Sequence, residues 1–314
     1  MDTTIIDKAQ KILALLFTNV RQAESNRLFS THVHGFPCSH CQQPHLKRLL
    51  NLIEKKEMIT LILPAFPAKS ANRQKTLSSD PDLGEIMSLN RLNELCRSIN
   101  QLHQTGVKLI ICSDGRVFND LVLVSDEEVN RYQQGIKQII AQQKLRFLAV
   151  FSLDDVYETQ NYQLMRNQLM AAYGESLSSL KQRLILDNHA LYQFNGIHRF
   201  VVEDQLALNE HLSKNQIRRL AKETAYEVVR RSNAWSRLLA EHFPAALRLS
   251  IHPQPCGSDK LGIQFLPAAN RWATPWHNVL LKKGDSWELI KRKEAERLGA
   301  KLNHDHYVLE GLNG

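Results

Sequence analysis

The stretch Ile110–Val122 contains the side chains best suited to chemistry in this sequence. Asp114, Arg116 and Asp120 follow an apolar run at 107–112. In an open, mostly parallel α/β sheet, polar side chains collect just past the carboxyl ends of the strands, where ligands bind. A carboxylate there could transfer protons, and an arginine could hold two oxygens of a phosphate or carboxylate. An ordinary turn in which Asp114 caps a short helix is the alternative interpretation.

Three further polar clusters adjoin apolar runs. They are Lys69, Ser70, Asn72 and Arg73 after 58–63, His252 and Lys260 after 247–251, and Trp276 and His277 before 279–283. The basic side chains suit an anionic ligand, and a histidine can exchange protons near neutral pH. Lys69 or Lys260 could instead form a Schiff base with a ketone. For Trp276 the alternative is core packing, and for His277 it is a structural imidazole.

Cys38 and Cys41 lie three residues apart in a segment that also contains several histidines. Thiolates and imidazoles at this spacing are zinc ligands, so the two cysteines are weak candidates for a metal site. A single Cys-x-x-Cys lacks a clear second pair, and a structural loop is the favoured interpretation. We therefore predict no cofactor. The odd total of five cysteines also argues against a disulfide framework and favours a reducing compartment.

Apolar periodicity predicts the elements that position these clusters. Helices are predicted at 3 to about 30, 44–55, 84–104, 126–144, 158–190 and 213–242, and strands at 58–63, 107–112, 147–153, 198–202, 247–251, 261–266, 279–283 and 287–290. The alternation of strands and helices favours parallel pairing with right-handed crossovers. The last four strands are short and separated by turns, which favours an antiparallel extension.

We predict an α/β fold, with a Rossmann-like, mostly parallel sheet flanked by helices and an antiparallel C-terminal extension. No repeat or low-complexity linker marks a boundary, so residues 1–314 are predicted to form a single domain. Within it, 1–56 would be a helical N-terminal segment and 57–205 the parallel α/β core. Residues 206–314 would form the long helix and the antiparallel strands.

Composition excludes several classes of protein. The net charge is +8, but the basic residues are scattered rather than gathered into the stripe that a nucleic-acid binder usually shows. No apolar run reaches the roughly 18 residues that a membrane span requires, and the N-terminus lacks the features of a signal peptide. A cytoplasmic enzyme for anionic small molecules is expected, without nucleic-acid or membrane partners.

Four blocks of sequence resemble the pyoverdine/dityrosine biosynthesis family of isonitrile (isocyanide) synthases. They are Leu-Pro-Ala-Phe-Pro-Ala-Lys-Ser-Ala-Asn at 63–72, Pro-Asp-Leu-Gly-Glu at 81–85, Ser-Asp-Gly-Arg-Val-Phe-Asn-Asp-Leu at 113–121 and Thr-Pro-Trp-His at 274–277. The blocks occur in the family's order and span about two-thirds of the chain. Where the family has Pro-Phe-Lys-Ser-Pro-Asn, alanine stands at 68 and 71, which could enlarge the pocket and loosen the loop.

The resemblance implies that tyrosine or tryptophan reacts with ribulose 5-phosphate to give the 2-isocyano acid. Phosphate and small carbonyl fragments leave, which would make the enzyme a carbon–carbon lyase, and the family commonly works beside an iron(II)/2-oxoglutarate oxygenase. Asp114 and His252 are then the candidate acid and base, and Lys69, Arg73 and Arg116 suit a departing phosphate. The other predicted substrate-binding residues are Ser70, Asn72, Lys260, Trp276 and His277.

Two rival functions stay open at this point. The first is a phosphosugar- or nucleotide-dependent transferase of another class, which would use the same anion site at the strand ends without an aromatic amino acid. The second is a zinc-stabilised binding module built around residues 32–45, whose basic surface would contact an acidic partner.

Overall fold

The computed structural model describes residues 3–21, 38–209, 211–268 and 272–310. Segment 22–37 lies outside the described residues, and it contains the end of the predicted first helix and part of the cysteine–histidine loop. The helices are α1 (Thr3–Phe17), α2 (Ser39–Glu54), α3 (Leu83–Leu102), α4 (Gly115–Phe118), α5 (Asp126–Gln142), α6 (Tyr162–Tyr173), α7 (Leu177–Leu186), α8 (Asn188–Leu208), α9 (Lys214–His242) and α10 (Arg292–Arg297). No helix of the described residues is both long and apolar enough to cross a membrane.

Five parallel strands form the main sheet in the order β3-β2-β1-β4-β5. They are β1 (Ile59–Pro64), β2 (Val107–Cys112), β3 (Leu148–Phe151), β4 (Leu247–Ser250) and β5 (Lys260–Gly262). The central strand β1 is mostly buried, because helices cover the sheet and its side chains meet apolar groups on both faces. The predicted α/β class with a mostly parallel sheet is confirmed.

A second, mixed sheet follows near the C-terminal end of the described chain, in the order β7-β6-β9-β8. Its strands are β6 (Val279–Lys283), β7 (Ser286–Ile290), β8 (Lys301–Asn303) and β9 (His306–Leu309). Strands β6 and β7 pair antiparallel, as do β8 and β9, whereas β6 and β9 pair parallel. The predicted antiparallel extension therefore corresponds to this sheet, and β8 and β9 were not predicted.

Two details of the sequence prediction are wrong. The strands predicted at 247–251 and 261–266 belong to the parallel sheet as β4 and β5, because an apolar pattern indicates burial but does not name the pairing partner. The strand predicted at 198–202 is helical and lies inside α8. Its β-branched, apolar residues favour a strand locally, but packing of α8 along α9 overrides that preference.

The order of the strands locates a crevice at the edge of the sheet. The chain runs outwards from β1 through β2 to β3 and then returns to place β4 on the other side of β1. The loops that follow β1 and β4 therefore leave the sheet in opposite directions, which opens a crevice at their carboxyl ends. We call this place between β1 and β4, where the strand order reverses, the switch point. Lys69 follows β1 and His252 follows β4, so two of the predicted site residues border it.

Candidate active site

Lys69 forms a closed polar network with the start of α3. Its ammonium donates to the Asp82 carboxylate at 2.7 Å and to the carbonyl of Pro275 at 3.0 Å, and it lies 2.8 Å from Glu85. The hydroxyl of Tyr132 also donates to Glu85 at 3.0 Å. The Lys69 side chain is fully buried, so three acceptors occupy its three N–H groups and none remains for a substrate.

Protonation of the network follows from its charges. One ammonium faces two carboxyl groups, and burial together with the neighbouring Glu85 raises the pKa of Asp82 to about 8. Despite the burial, Glu85 and Asp82 raise the pKa of Lys69. An ammonium held in its charged form cannot attack a ketone, so the geometry gives no support to a Lys69 Schiff base and favours a role in positioning the 65–72 loop.

A second network joins the same loop to α8. The hydroxyl of Ser70 and the amide of Asn72 both donate to the Asp204 carboxylate, at 3.2 Å and 3.1 Å. The ammonium of Lys75 lies 2.6 Å from Asp204 and 4.5 Å from the centre of the Phe200 ring. Ser70 and Asn72 are thus engaged by Asp204, which places α8 against the loop.

Asp114 lies at the carboxyl end of β2, next to the β1 loop. A Cβ atom on the following residue, Gly115, would overlap the carbonyl of Pro67, so glycine permits the close approach. Oδ1 of Asp114 is buried and has no hydrogen-bond partner among the described residues. This desolvation raises the pKa of Asp114 to about 7. The side chain does not cap α4, so the alternative interpretation of an ordinary helix-capping turn is not supported.

His252 occupies the other side of the crevice, in the loop after β4. Its ring lies 5.5 Å from the ring of Trp272, and its Nδ1 is buried without a hydrogen-bond partner among the described residues. Burial and the nearby Arg21, Lys260 and His189 lower the pKa of His252 to about 4. The imidazole is therefore neutral at pH 7 and surrounded by basic groups.

Lys260 continues this group of basic side chains. Its ammonium donates to the hydroxyl of Ser236 at 3.1 Å, and the same hydroxyl accepts from Arg248 at 2.6 Å. Burial and Arg248 lower the pKa of Lys260 to about 8, against the weaker influence of Asp259. The two cations thus share one neutral acceptor, and Arg248 also lies 3.4 Å from the Asp259 carboxylate, so a bound anion would further stabilise the pair.

His277 and Trp276 follow the Thr274–Pro275 corner but point to different surroundings. The His277 ring lies 4.4 Å from that of Phe200, and its pKa is lowered by burial, Lys75, Lys69 and His252. The Trp276 side chain is 1% exposed and packs on Phe66, with ring centres 5.2 Å apart. The geometry favours the core-packing interpretation for Trp276.

Arg116 points away from the crevice towards α5 and α6. Its guanidinium donates to the Asp126 carboxylate at 2.8 Å and to the Asn130 side chain, and it lies 3.6 Å from the centre of the Tyr162 ring. The residue is 1% exposed. These contacts already satisfy most of its donors, so the structure gives no support to the predicted anion-binding role.

We expect Arg116→Ala to lower the free energy of unfolding by about 2–4 kcal/mol, because it removes a buried ion pair with Asp126, which keeps only Arg166 as a cationic partner, and the stack on Tyr162. Urea denaturation measures this. Arg97→Ala, which removes an exposed helical pair with Glu94, is the matched control and should cost less than about 1 kcal/mol. Equal losses in the two variants would contradict a structural role for Arg116.

Arg73 lies at the edge of the β1 loop with a side chain that is 41% exposed. It donates to the carbonyl of Ser70 at 3.3 Å and to the hydroxyl of Ser79 at 2.7 Å. Its nearest carboxylate, Glu128, is 3.9 Å away. Arg73 is thus held to its own loop but keeps access to solvent, and it stays a predicted anion ligand.

Several residues of the site were missed by sequence reasoning. Asp82 and Glu85 form a capping box at the start of α3, a pattern of acidic residues three apart that was readable in the 81–85 block. Lys75, Asp204 and Arg21 carried no local signal, because a single charged residue in a helix or loop is usually solvated. Only the fold brings Asp204 to Ser70, 134 positions earlier in the chain.

The chain matches the family model described as pyoverdine/dityrosine biosynthesis protein over residues 49–303. A relative from Fischerella ambigua, named L-tryptophan isonitrile synthase, is 46% identical over 266 residues, which cover 85% of this chain and 81% of that protein. A relative from Pseudomonas aeruginosa, named L-tyrosine isonitrile synthase, is 43% identical over 265 residues, which cover 83% of this chain and 81% of that protein.

The crystal structure of the PvcA protein from Pseudomonas aeruginosa superposes with a TM-score of 0.90 at 37% sequence identity. The match covers 96% of this chain and 99% of that one. The arrangement of both sheets and of the helices around the crevice is therefore shared with a solved structure.

Proposed function

The chain belongs to the pyoverdine/dityrosine biosynthesis protein family, and from that premise we propose that it is an isonitrile synthase. In this proposal it converts tyrosine or tryptophan and ribulose 5-phosphate into the 2-isocyano acid, with release of phosphate and small carbonyl fragments. Carbon–carbon bonds of the sugar break in the reaction, which makes the enzyme a lyase. The product would pass to a separate enzyme, such as an iron(II)/2-oxoglutarate oxygenase.

The observation that carries the proposal is the row of basic groups along the switch-point crevice. Burial lowers the pKa of both His277 and His252, and nearby basic groups lower it further: Lys75 and Lys69 at His277, and Arg21, Lys260 and His189 at His252. Lys69 and Lys75 are already paired with carboxylates, whereas the two imidazoles are neutral and lie within the field of these and other basic groups. Both proposed substrates are anions, one through its carboxylate and the other through its phosphate, so each would relieve this repulsion.

Proton transfer is assigned to the two strand-end groups with perturbed pKa values. Asp114, with a pKa raised to about 7 by burial, can hold a proton and return it near neutral pH, as condensation of the amine with the ketone requires. His252 begins as a neutral imidazole. An anion bound near Arg21 and Lys260 would raise its pKa towards neutrality, which couples substrate binding to its action as a base.

Aromatic rings line the same region. Trp272 lies between Tyr192 and His252, with ring centres 5.4 Å and 5.5 Å apart, and Phe200 stacks near His277. These rings would contact the side chain of an aromatic amino acid through offset or edge-on packing. Relatives named for tryptophan and for tyrosine are similarly close, so the amino acid is proposed only as aromatic.

The direct test is a two-substrate assay on the purified full-length chain. Tyrosine and tryptophan are supplied in turn with ribulose 5-phosphate, phosphate release is followed, and the isonitrile is identified by mass spectrometry. We expect stoichiometric phosphate and isonitrile with at least one of the two amino acids. Phosphate release without any amino acid would instead favour a different phosphosugar enzyme, and no product with either amino acid would overturn the proposal.

We assign the sugar phosphate to Lys260 and Arg248, the two cations that share Ser236. Lys260→Met should raise the KM for ribulose 5-phosphate about tenfold or more, with a smaller effect on the KM for the amino acid. Steady-state kinetics with each substrate varied in turn measures this. Lys222→Met, on the exposed face of α9, is the matched control. A selective rise in the amino-acid KM would reassign Lys260 to the carboxylate.

A further inference from the structure

Three cysteine thiols, two from one helix start and one from a distant part of the sequence, meet beside the N-terminus of α2. The sulfur of Cys38 lies 3.2 Å from that of Cys41 and 3.4 Å from that of Cys256, and the last two are 3.1 Å apart. Cys256 belongs to the loop between β4 and β5 and is 215 positions from Cys41. The sequence identified the first two residues, and the fold supplies the third.

Two of the three sulfurs lie at the start of a helix. Cys38 is the N-cap of α2, a helix of 16 residues, and Cys41 lies in its first turn, so both sulfurs are close to the positive end of the helix dipole. A thiolate here would repel a second one at van der Waals distance unless a cation lay between them.

The loop that carries Cys256 is also shaped to lie against α2. Gly257 has a φ of +78°, and a Cβ atom there would lie 2.6 Å from Nε2 of His40. The positive φ favours glycine here, and the side chain of His40 lies against it. Cys256, the preceding residue, therefore lies beside the helix turn that carries Cys38 and Cys41.

We propose that Cys38, Cys41 and Cys256 together bind one zinc ion. Sulfurs on a tetrahedral zinc lie about 3.8 Å apart, because each Zn–S bond is about 2.3 Å long, so the three sulfurs need to separate by only about half an ångström. Three soft thiolates select zinc over magnesium or calcium. The fourth position is taken by water or by a further protein ligand.

The proposal goes beyond the isonitrile synthase activity and assigns the metal a structural role. Zinc would tie the N-terminal helices to the β4–β5 loop, which contains His252 as its second residue. His252 precedes Cys256 by four residues, and Gly262 of β5 approaches the His252 carbonyl so closely that a Cβ atom would lie 2.6 Å from it. The metal would therefore fix the backbone on one side of the crevice without touching the substrates.

Metal analysis of the full-length protein, purified with a reductant and without chelator, tests the site. We expect about one zinc per chain, and less than about a tenth of an equivalent in Cys256→Ala, because two remaining thiolates bind zinc weakly. Cys96→Ala is the matched control, since Cys96 is buried in the core on α3, and it should keep the zinc. Zinc retained in Cys256→Ala, or iron in place of zinc, would overturn the proposal.

A second measurement covers the case in which Cys256→Ala does not fold. Cobalt is added to the chelator-treated wild-type protein, and we expect a tetrahedral d–d spectrum with a thiolate-to-cobalt charge-transfer band. Added zinc should displace the cobalt and raise the thermal midpoint. Absence of the charge-transfer band, or a Cys38–Cys41 disulfide found by mass spectrometry under the same reductant, would overturn the proposal.

Discussion

Asp114→Asn should lower kcat/KM for isonitrile formation by about 100-fold or more, because removal of a general acid–base group typically costs a factor of 10²–10⁴. The variant keeps the size of the wild-type side chain and removes its titration, with an NH2 group in place of one carboxyl oxygen. The pH–rate profile should also lose the limb near pH 7 that corresponds to the raised pKa of Asp114. Asp285→Asn, in the exposed turn of the second sheet, is the matched control.

The same substitution should stabilise the fold, and the effect should depend on pH. In the folded protein burial raises the pKa of Asp114 to about 7, whereas in the unfolded chain it is about 3.9. The wild-type protein therefore loses stability as the pH rises from about 4 to 7, and asparagine does not. We expect Asp114→Asn to be more stable by about 2–4 kcal/mol at pH 8 and equal to wild type at pH 4.

Thermal and urea denaturation at the two pH values measure that difference. A variant that keeps near-normal activity would contradict the acid–base role of Asp114, and a stability difference independent of pH would contradict its raised pKa. Lower activity together with higher stability would show that the buried Asp114 carboxyl group destabilises the fold but is needed for the reaction.

The strand ends could be predicted from sequence because they depend on local patterns. The apolar runs before Lys69 and Asp114 are short and bounded by glycine, proline and charged residues, and both proved to be adjacent parallel strands. The pairing of β4 with β1 could not be predicted in this way, since the choice of partner depends on the whole sheet. Because this pairing was not predicted, neither the switch point nor the position of His252 across from Lys69 could be predicted.

The environment of each charged side chain was also beyond sequence reasoning. Arg116 and Lys69 have the chemistry of anion ligands, but the fold places each against carboxylates that occupy their donors. Lys260 has the same chemistry and lies instead beside a second cation. The difference arises from residues on α3, α5 and α9, which sequence proximity does not connect to the strand ends.

The buried network around Lys69 leads to the second large effect. Lys69→Met should lower the free energy of unfolding by about 3–5 kcal/mol, because it leaves Asp82 and Glu85 facing one another without a cation. Lys11→Met, which breaks an exposed pair with Asp7, is the matched control and should change stability by less than about 1 kcal/mol. Urea denaturation of both variants at pH 7 makes the comparison.

A compensating change separates the structural role of Lys69 from a chemical one. Adding Glu85→Gln to Lys69→Met removes one of the two facing carboxyl groups and keeps one acceptor oxygen for the Asp82 amide, while its NH2 can donate to the hydroxyl oxygen of Tyr132. The double variant should regain at least half of the lost stability and a corresponding share of activity, because the 65–72 loop returns to its place. If stability returned and isonitrile formation did not, Lys69 would act on the substrate directly, and its assignment as a positioning residue would be wrong.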